Sequence, residues 1–221
     1  MRAEDIVIRV DGAEPVSVAA VEEVCAACDR AEDSGGRARV VVHVSGAPAQ
    51  AWSDGLTVAL VSRWERALRR LERLPTTTVA VADGDCGGAA LEALLATDYR
   101  VATTSVRLMV SVEAEATWPG MALYRLAQQG ANAAVRRAIL FGEPIPARDA
   151  QALHLVDAVT DDVVSALAAA DGLHRAFSGP ELAVRRQLML DAGTVTFEEA
   201  LGVHLAACDR ALRRVSAGAA S

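Results

Sequence analysis

The stretch that most constrains the fold is Val79 to Asp98, VAVADGDCGGAALEALLATD. Its opening is a short apolar run with β-branched residues (Val79, Val81), which reads as a buried strand. Gly84, Gly87 and Gly88 then allow a sharp turn and a close backbone approach. An alanine- and leucine-rich helix follows, with Glu92 expected in its first turn. Strand, glycine turn and helix start together make a site for negative charge. The first N–H groups of a helix lack partners in their own helix, and the dipole favours an anion there. That anion can be an oxyanion that exists only during a reaction. Many α/β turns share this pattern. The turn contains no G-x-G-x-x-G, no G-x-x-x-x-G-K-[ST] and no G-x-S-x-G, so dinucleotide, P-loop and nucleophile-elbow readings fail.

A chain of 221 residues supports one domain with a substantial core, or one domain plus a small appendage. Hydrophobic residues make up 52%, which excludes a disordered class. Aromatics are only 4% and the net charge is −7, so neither a base-stacking platform nor a basic nucleic-acid face is expected. All 22 basic residues are arginines, which excludes Schiff-base lysine chemistry. No apolar run is long enough to span a bilayer and MRAEDIVIRV does not read as a signal peptide, so a cytoplasmic location is expected. Cys25-Ala-Ala-Cys28 has metal or redox spacing, but it lies in a helical pattern with no second pair, and reads as a half-buried pair on a helix. The histidines are scattered, with no H-E-x-x-H, and no metal site is expected.

Taken in order, Ile6–Val10 alternates as a strand, and Val16–Ala31 is helical with Ser17 as a cap. Arg39–Val44 is a continuous apolar strand, as expected when helices cover both faces of a sheet. A glycine- and proline-marked loop, 45–55, leads to a helix over Leu56–Leu74 closed by Pro75. On that helix Trp64, Leu68 and Leu71 share one face, while Arg63–Arg73, with Glu65 and Glu72 interleaved, reads as its solvated side. Tyr99–Ala102 and Val106–Val112 read as strands, the second strictly alternating, and Trp118-Pro119-Gly120 as a turn. From Met121 the pattern is mostly helical, broken at 142–146 and 179–180, with a short strand near Val156–Val159. The first half therefore reads as repeating strand–strand–helix units, in an α/β class.

This order of parts resembles the crotonase (enoyl-CoA hydratase/isomerase) family. Gly84-Asp-Cys-Gly-Gly-Ala-Ala-Leu-Glu92 through Thr97-Asp98 is similar to the family's glycine-rich signature. Val112 through Trp118-Pro119-Gly120 matches a segment ending in Pro-Gly, and Phe141–Asp157 resembles the family's TG…I.A..A...GLV segment. The resemblance covers roughly residues 5–215. It implies a crotonase-like spiral of ββα units, with a core and thioester site over 1–160 and a C-terminal helical oligomerisation region over 161–221 of the same domain. Trimers, often paired into hexamers, are implied as the assembly. The chain looks most like the hydratase-like helpers of 3,5-dihydroxyphenylglycine biosynthesis, which work beside a type III polyketide synthase in glycopeptide-antibiotic producers.

The implied substrate is an acyl-CoA thioester, with no further cofactor. Two backbone N–H groups stabilise its enolate; carried over by position they fall at Ala89 and, through the faint echo in Trp52-Ser53-Asp54-Gly55-Leu56, at Leu56. Gly55, Gly87, Gly88 and Trp118 are implied around the substrate. Family hydratases use two glutamates, one orienting water and one exchanging a proton with the α-carbon. The first matches Glu92; the second matches Val112, which cannot move a proton. Glu113 falls on the opposite face of a strand unless a bulge re-aims it, and Glu115 lies two residues further. Glu92 also fits a purely structural helix-start role, and alanine at 89, where the family prefers glycine, implies an altered pocket. Hydration or dehydration of a thioester, a non-catalytic partner of a synthase, and an isomerase or hydrolase using Glu113 or Glu115 all stay open.

Overall fold

A computed structural model describes residues 5–48, 55–110, 120–129 and 132–219. Strand β1 (Asp5–Asp11) alternates buried and exposed residues, as an edge strand does. Helix α1 (Val18–Asp33) starts at Ser17, whose side chain accepts from the Ala20 N–H at 3.1 Å. Strand β2 (Arg39–Gly46) and the first half of β3 (Thr78–Gly87) are buried almost continuously, because helices cover both faces there. Between them α2 (Val58–Leu71), capped by Thr57, buries Trp64, Ala67, Leu68 and Leu71 at helical spacing. Helix α3 (Gly88–Leu95) follows β3 directly, and then come β4 (Tyr99–Ala102) and β5 (Arg107–Met109). The rest is α4 (Gly120–Gln129), α5 (Asn132–Phe141), β6 (Ile145–Pro146), α6 (Ala147–Ala152), β7 (Ala158–Val159), α7 (Val163–Phe177), α8 (Pro180–Asp191) and α9 (Phe197–Ala219).

The main sheet runs β1-β2-β3-β4-β7, every pair parallel, with β5 pairing β3 and β6 pairing β5 antiparallel. The α/β class is as expected. The order of elements differs in detail: strands and helices alternate one by one up to β4, and strand–strand–helix succession appears at β4, β5 and α4. The glycine stretch after Val81 is also not a free turn. Strand β3 continues to Gly87, and Gly84, at φ +64°, takes a backbone conformation other residues rarely adopt. There the register with β2 jumps from Ser45↔Asp83 to Gly46↔Cys86. Beyond the jump Asp85–Gly87 turns to pair with β5 instead of β4. Strand β5 keeps the expected alternation, with Val106, Leu108 and Val110 buried, but its paired part is only Arg107–Met109.

Polar ties attach the C-terminal helices to the opposite, amino-terminal end of the strands. Arg39 at the start of β2 donates to Leu167 O (2.7 Å) and to both carboxylate oxygens of Asp5. Buried Arg186 of α8 donates to Asp98 through Nε (2.7 Å) and Nη2 (2.6 Å), and to the carbonyls of Leu74 and Thr76. The same Asp98 carboxylate accepts from the Thr78 N–H and hydroxyl. Helix α6 ends in a Schellman motif: Leu155 N–H bonds Ala150 O (2.8 Å) and His154 N–H bonds Gln151 O (3.0 Å). His154 itself sits at φ +57°, where the segment it resembles carries glycine. Cys25 is half-buried and Cys28 buried on α1, and burial pushes the Cys28 thiol up to about 12. Among the described residues no helix is long and apolar enough to cross a membrane.

Candidate active site

The carboxyl ends of the parallel strands form an edge where ligands of α/β sheets commonly sit. Helix α3 begins at that edge. Gly87 is its cap, without a side-chain hydrogen bond to offer, and Gly88 has φ +50°. The Pro48 ring lies over this corner: a Cβ on Gly88 would come within 2.6 Å of Pro48 Cγ. Ala89 is thus presented in the first turn, and its N–H makes no hydrogen bond among the described residues. Leu56, just before the α2 cap, likewise has an unbonded N–H among the described residues.

Leu56, Gly88, Ala89 and Glu92 line one pocket of about 410 Å³, its open mouth included; Trp64 and Pro48 complete that wall, and Gly12 and Glu14 come from the loop after β1. The fold therefore brings together four of the residues expected at the site. Gly55 and Gly87 are near in the chain but do not line it. Trp118, Val112, Glu113, Glu115 and the Trp52–Asp54 stretch lie outside the described residues. Glu14, an exposed carboxylate on the pocket, was not marked by any sequence pattern. A second, smaller pocket of about 240 Å³, its open mouth again included, meets the first at Gly88 and Glu92 and is walled by Leu91, Met109, Val110 and Leu123.

Glu92 does not lie in the first turn of α3. It is the fifth residue of the helix, so the expected capping role does not apply. Its carboxylate is buried, 3% exposed, and Oε2 accepts a 2.7 Å hydrogen bond from the Trp64 indole N–H. Burial, reinforced by the negative charge of Glu65, pushes the Glu92 carboxyl up to about 7; the Trp64 hydrogen bond and Arg125 oppose this. A carboxyl poised there can both take and give a proton at neutral pH.

Behind Glu92 lies a buried charge cluster. Arg125 of α4, 5% exposed, bonds Glu65 Oε2 through Nη1 (2.9 Å) and Glu72 Oε1 through Nε (2.7 Å). Arg69 reaches Glu72 Oε2 at 2.9 Å. Glu65 and Glu72 are therefore not on a solvated face as expected; their side chains are 16% and 11% exposed. The expectation failed because periodicity assigns faces within one helix and says nothing of a second helix, α4, laid over that face. An arginine in the otherwise amphipathic α4 was the available signal. Desolvation also pushes Glu65 above the usual carboxylate range, with Arg125 opposing. Glu65 Oε1 is buried without a hydrogen-bond partner.

No family model matches the chain. An enoyl-CoA-hydratase of Amycolatopsis orientalis is 53% identical over 210 residues, spanning 95% of this chain and 97% of that protein. A solved enoyl-CoA hydratase/isomerase from Marinobacter aquaeolei superposes with a TM-score of 0.81 at 15% identity, over 96% of this chain and 89% of the other. An enoyl-CoA hydratase from Bacillus anthracis gives 0.77 at 20% identity, over 93% and 86%. The chain belongs to the enoyl-CoA hydratase (crotonase) family. The solved structures share its fold.

Proposed function

We propose that the protein hydrates a 2-enoyl-CoA thioester, or dehydrates the matching 3-hydroxyacyl thioester, without a further cofactor. The observation that carries this is one pocket lined by Ala89 and Leu56, whose N–H groups are unbonded among the described residues, and by a buried glutamate pushed up to about 7. In the hydration direction water oxygen bonds the β-carbon and its proton passes to the Glu92 carboxylate. The π electrons move onto the thioester oxygen, where the Leu56 and Ala89 N–H groups hold the enolate. The enolate then takes the proton from Glu92 at its α-carbon, and Glu92 returns to the carboxylate. One carboxyl does both transfers because Val112 stands where family hydratases carry the second glutamate.

The substrate in this reading is a polyketide-derived thioester on the route to 3,5-dihydroxyphenylacetyl-CoA, with a type III polyketide synthase as working partner. Its support is the resemblance to the 3,5-dihydroxyphenylglycine helpers and the 53% identity to a protein of Amycolatopsis orientalis. A homo-oligomer is proposed from the apolar side chains exposed on α8 and α9, among them Met189, Phe197, Val203 and Leu205. The second reading, a scaffold that stimulates the synthase, is favoured by Val112 and by the Ala89 methyl at the pocket. The test is hydration of crotonyl-CoA and of the polyketide thioester by purified protein sized by light scattering, alone and with the synthase. Glu92→Gln is expected to lower the rate on the order of 10²–10⁴-fold. An effect seen only with synthase present, and surviving Glu92→Gln, would establish the scaffold instead; a monomer would remove the oligomer.

A further inference from the structure

The Trp64 indole gives its one polar atom to Glu92. Nε1–H donates to Glu92 Oε2 at 2.7 Å, and both side chains line the pocket that Leu56 and Ala89 share. Trp64 is 1% exposed and Glu92 3%, so the bond is made out of reach of bulk water. The indole is itself held firmly. It lies on the buried face of α2 with Ala67, Leu68 and Leu71, on a helix fixed at its start by the Thr57 cap. A buried indole needs an acceptor. A backbone carbonyl or a neutral amide would serve without the cost of burying a carboxylate, so satisfaction of Trp64 alone does not explain the pair. An indole N–H donates and never accepts, and Oε2 is thereby reserved as an acceptor. The Ala122 backbone of α4 also bonds this carboxylate. Donors from two helices thus bear on one carboxylate carried by a third.

We propose that Trp64 is a positioning residue for the reaction: its indole hydrogen bond holds the Glu92 carboxylate in the orientation from which it takes a proton from water and returns one to the thioester. This rests on the reading of Glu92 as the acid/base. The charged groups around Glu92 are Glu65 of α2 and Arg125 of α4, with Glu14 on the shared pocket from the loop after β1. Helix α3 carries no other charged residue. Removing the indole N–H leaves all of these in place.

Two replacements test this in the full chain. Trp64→Phe removes the N–H and keeps an aromatic ring. Benzothienylalanine at position 64, with sulfur in place of the N–H, keeps the whole indole shape. In both, kcat for hydration of crotonyl-CoA should fall about 10–100-fold, the worth of one hydrogen bond to a charged group, with KM within about threefold of native. Trp64→Phe should lower the residual rate of Glu92→Gln no further. The second readout needs no substrate: the Glu92 carboxyl ¹³C signal, assigned by Glu92→Gln, is followed through a pH titration. Its midpoint near 7 should rise in both replacements, because the indole hydrogen bond holds it down. An unchanged kcat in the sulfur isostere overturns the inference, as does an unmoved midpoint. A loss of rate that recurs in full on top of Glu92→Gln also overturns it and makes Trp64 a packing residue. A protein that turns over no thioester fails the functional reading, and the midpoint alone then decides the inference. Should Trp64→Phe not fold, the sulfur isostere decides.

Discussion

Glu92 is held where it weakens the fold. Its carboxyl titrates near 7 in the folded chain against an ordinary 4.5. A raised carboxyl contributes most below its unfolded value, and that contribution is lost as pH rises through the folded one. The native protein should therefore lose stability between about pH 4.5 and 7 on this account. Glu92→Gln keeps an acceptor for the Trp64 indole but removes the charge. It should be more stable than native protein at pH 8, by about 3 kcal/mol at most, and equal to it near pH 4. Urea unfolding at the two pH values checks this, and a less stable Gln variant at pH 8 would make Glu92 a structural residue. Such a pairing of higher stability with lost rate is the mark of a site retained for chemistry. At this scale the resemblance picked out Glu92, Ala89 and Leu56, which the fold brings to one pocket, because motif spacing survives even where the surroundings change. Glu65 and Arg125 were illegible because burial by another helix leaves no period in the chain.

Elements were read best where local chemistry decides them. Ser17 caps α1, and the valine-rich runs of β2 and β3 are buried, since capping hydrogen bonds and double-sided cover act within a few residues. The continuation of β3 past Gly84 was missed because it depends on β5, which reaches it from Arg107–Met109 far along the chain. The two-residue β6 has too few residues for any pattern. The end of α6 offers a measurable check. His154 sits in the left-handed region at the position that closes the Schellman motif. A non-glycine residue there costs about 1–2 kcal/mol, and glycine gives back about 0.5–1 kcal/mol of that in chain entropy. His154→Gly should thus raise stability by roughly 0.5–1 kcal/mol, seen as a higher denaturation midpoint with an unchanged slope. A lower midpoint would show that the imidazole makes up for its strained backbone.

Across the whole molecule, the two ends of the sheet do different work. The carboxyl end carries the pocket; the amino end anchors α7 and α8 through Arg39, Arg186 and Asp98. Arg186→Ala leaves Asp98 partly buried without its guanidinium partner, and should cost about 3–5 kcal/mol, read by thermal or urea unfolding. The rate per folded molecule should stay within a few-fold of native, because the ion pair lies at the far end of the strands. A rate lost in proportion to Arg186, with stability intact, would tie the helical region to catalysis. Between the two ends β3 runs into α3 without a loop. The Ala89 amide, proposed to hold the oxyanion, is accordingly anchored directly to the sheet, with no loop before it to act as a hinge. Any movement that widens this pocket has to come from lining residues outside β3 and α3, such as Glu14 in the loop after β1 and Leu56 ahead of α2.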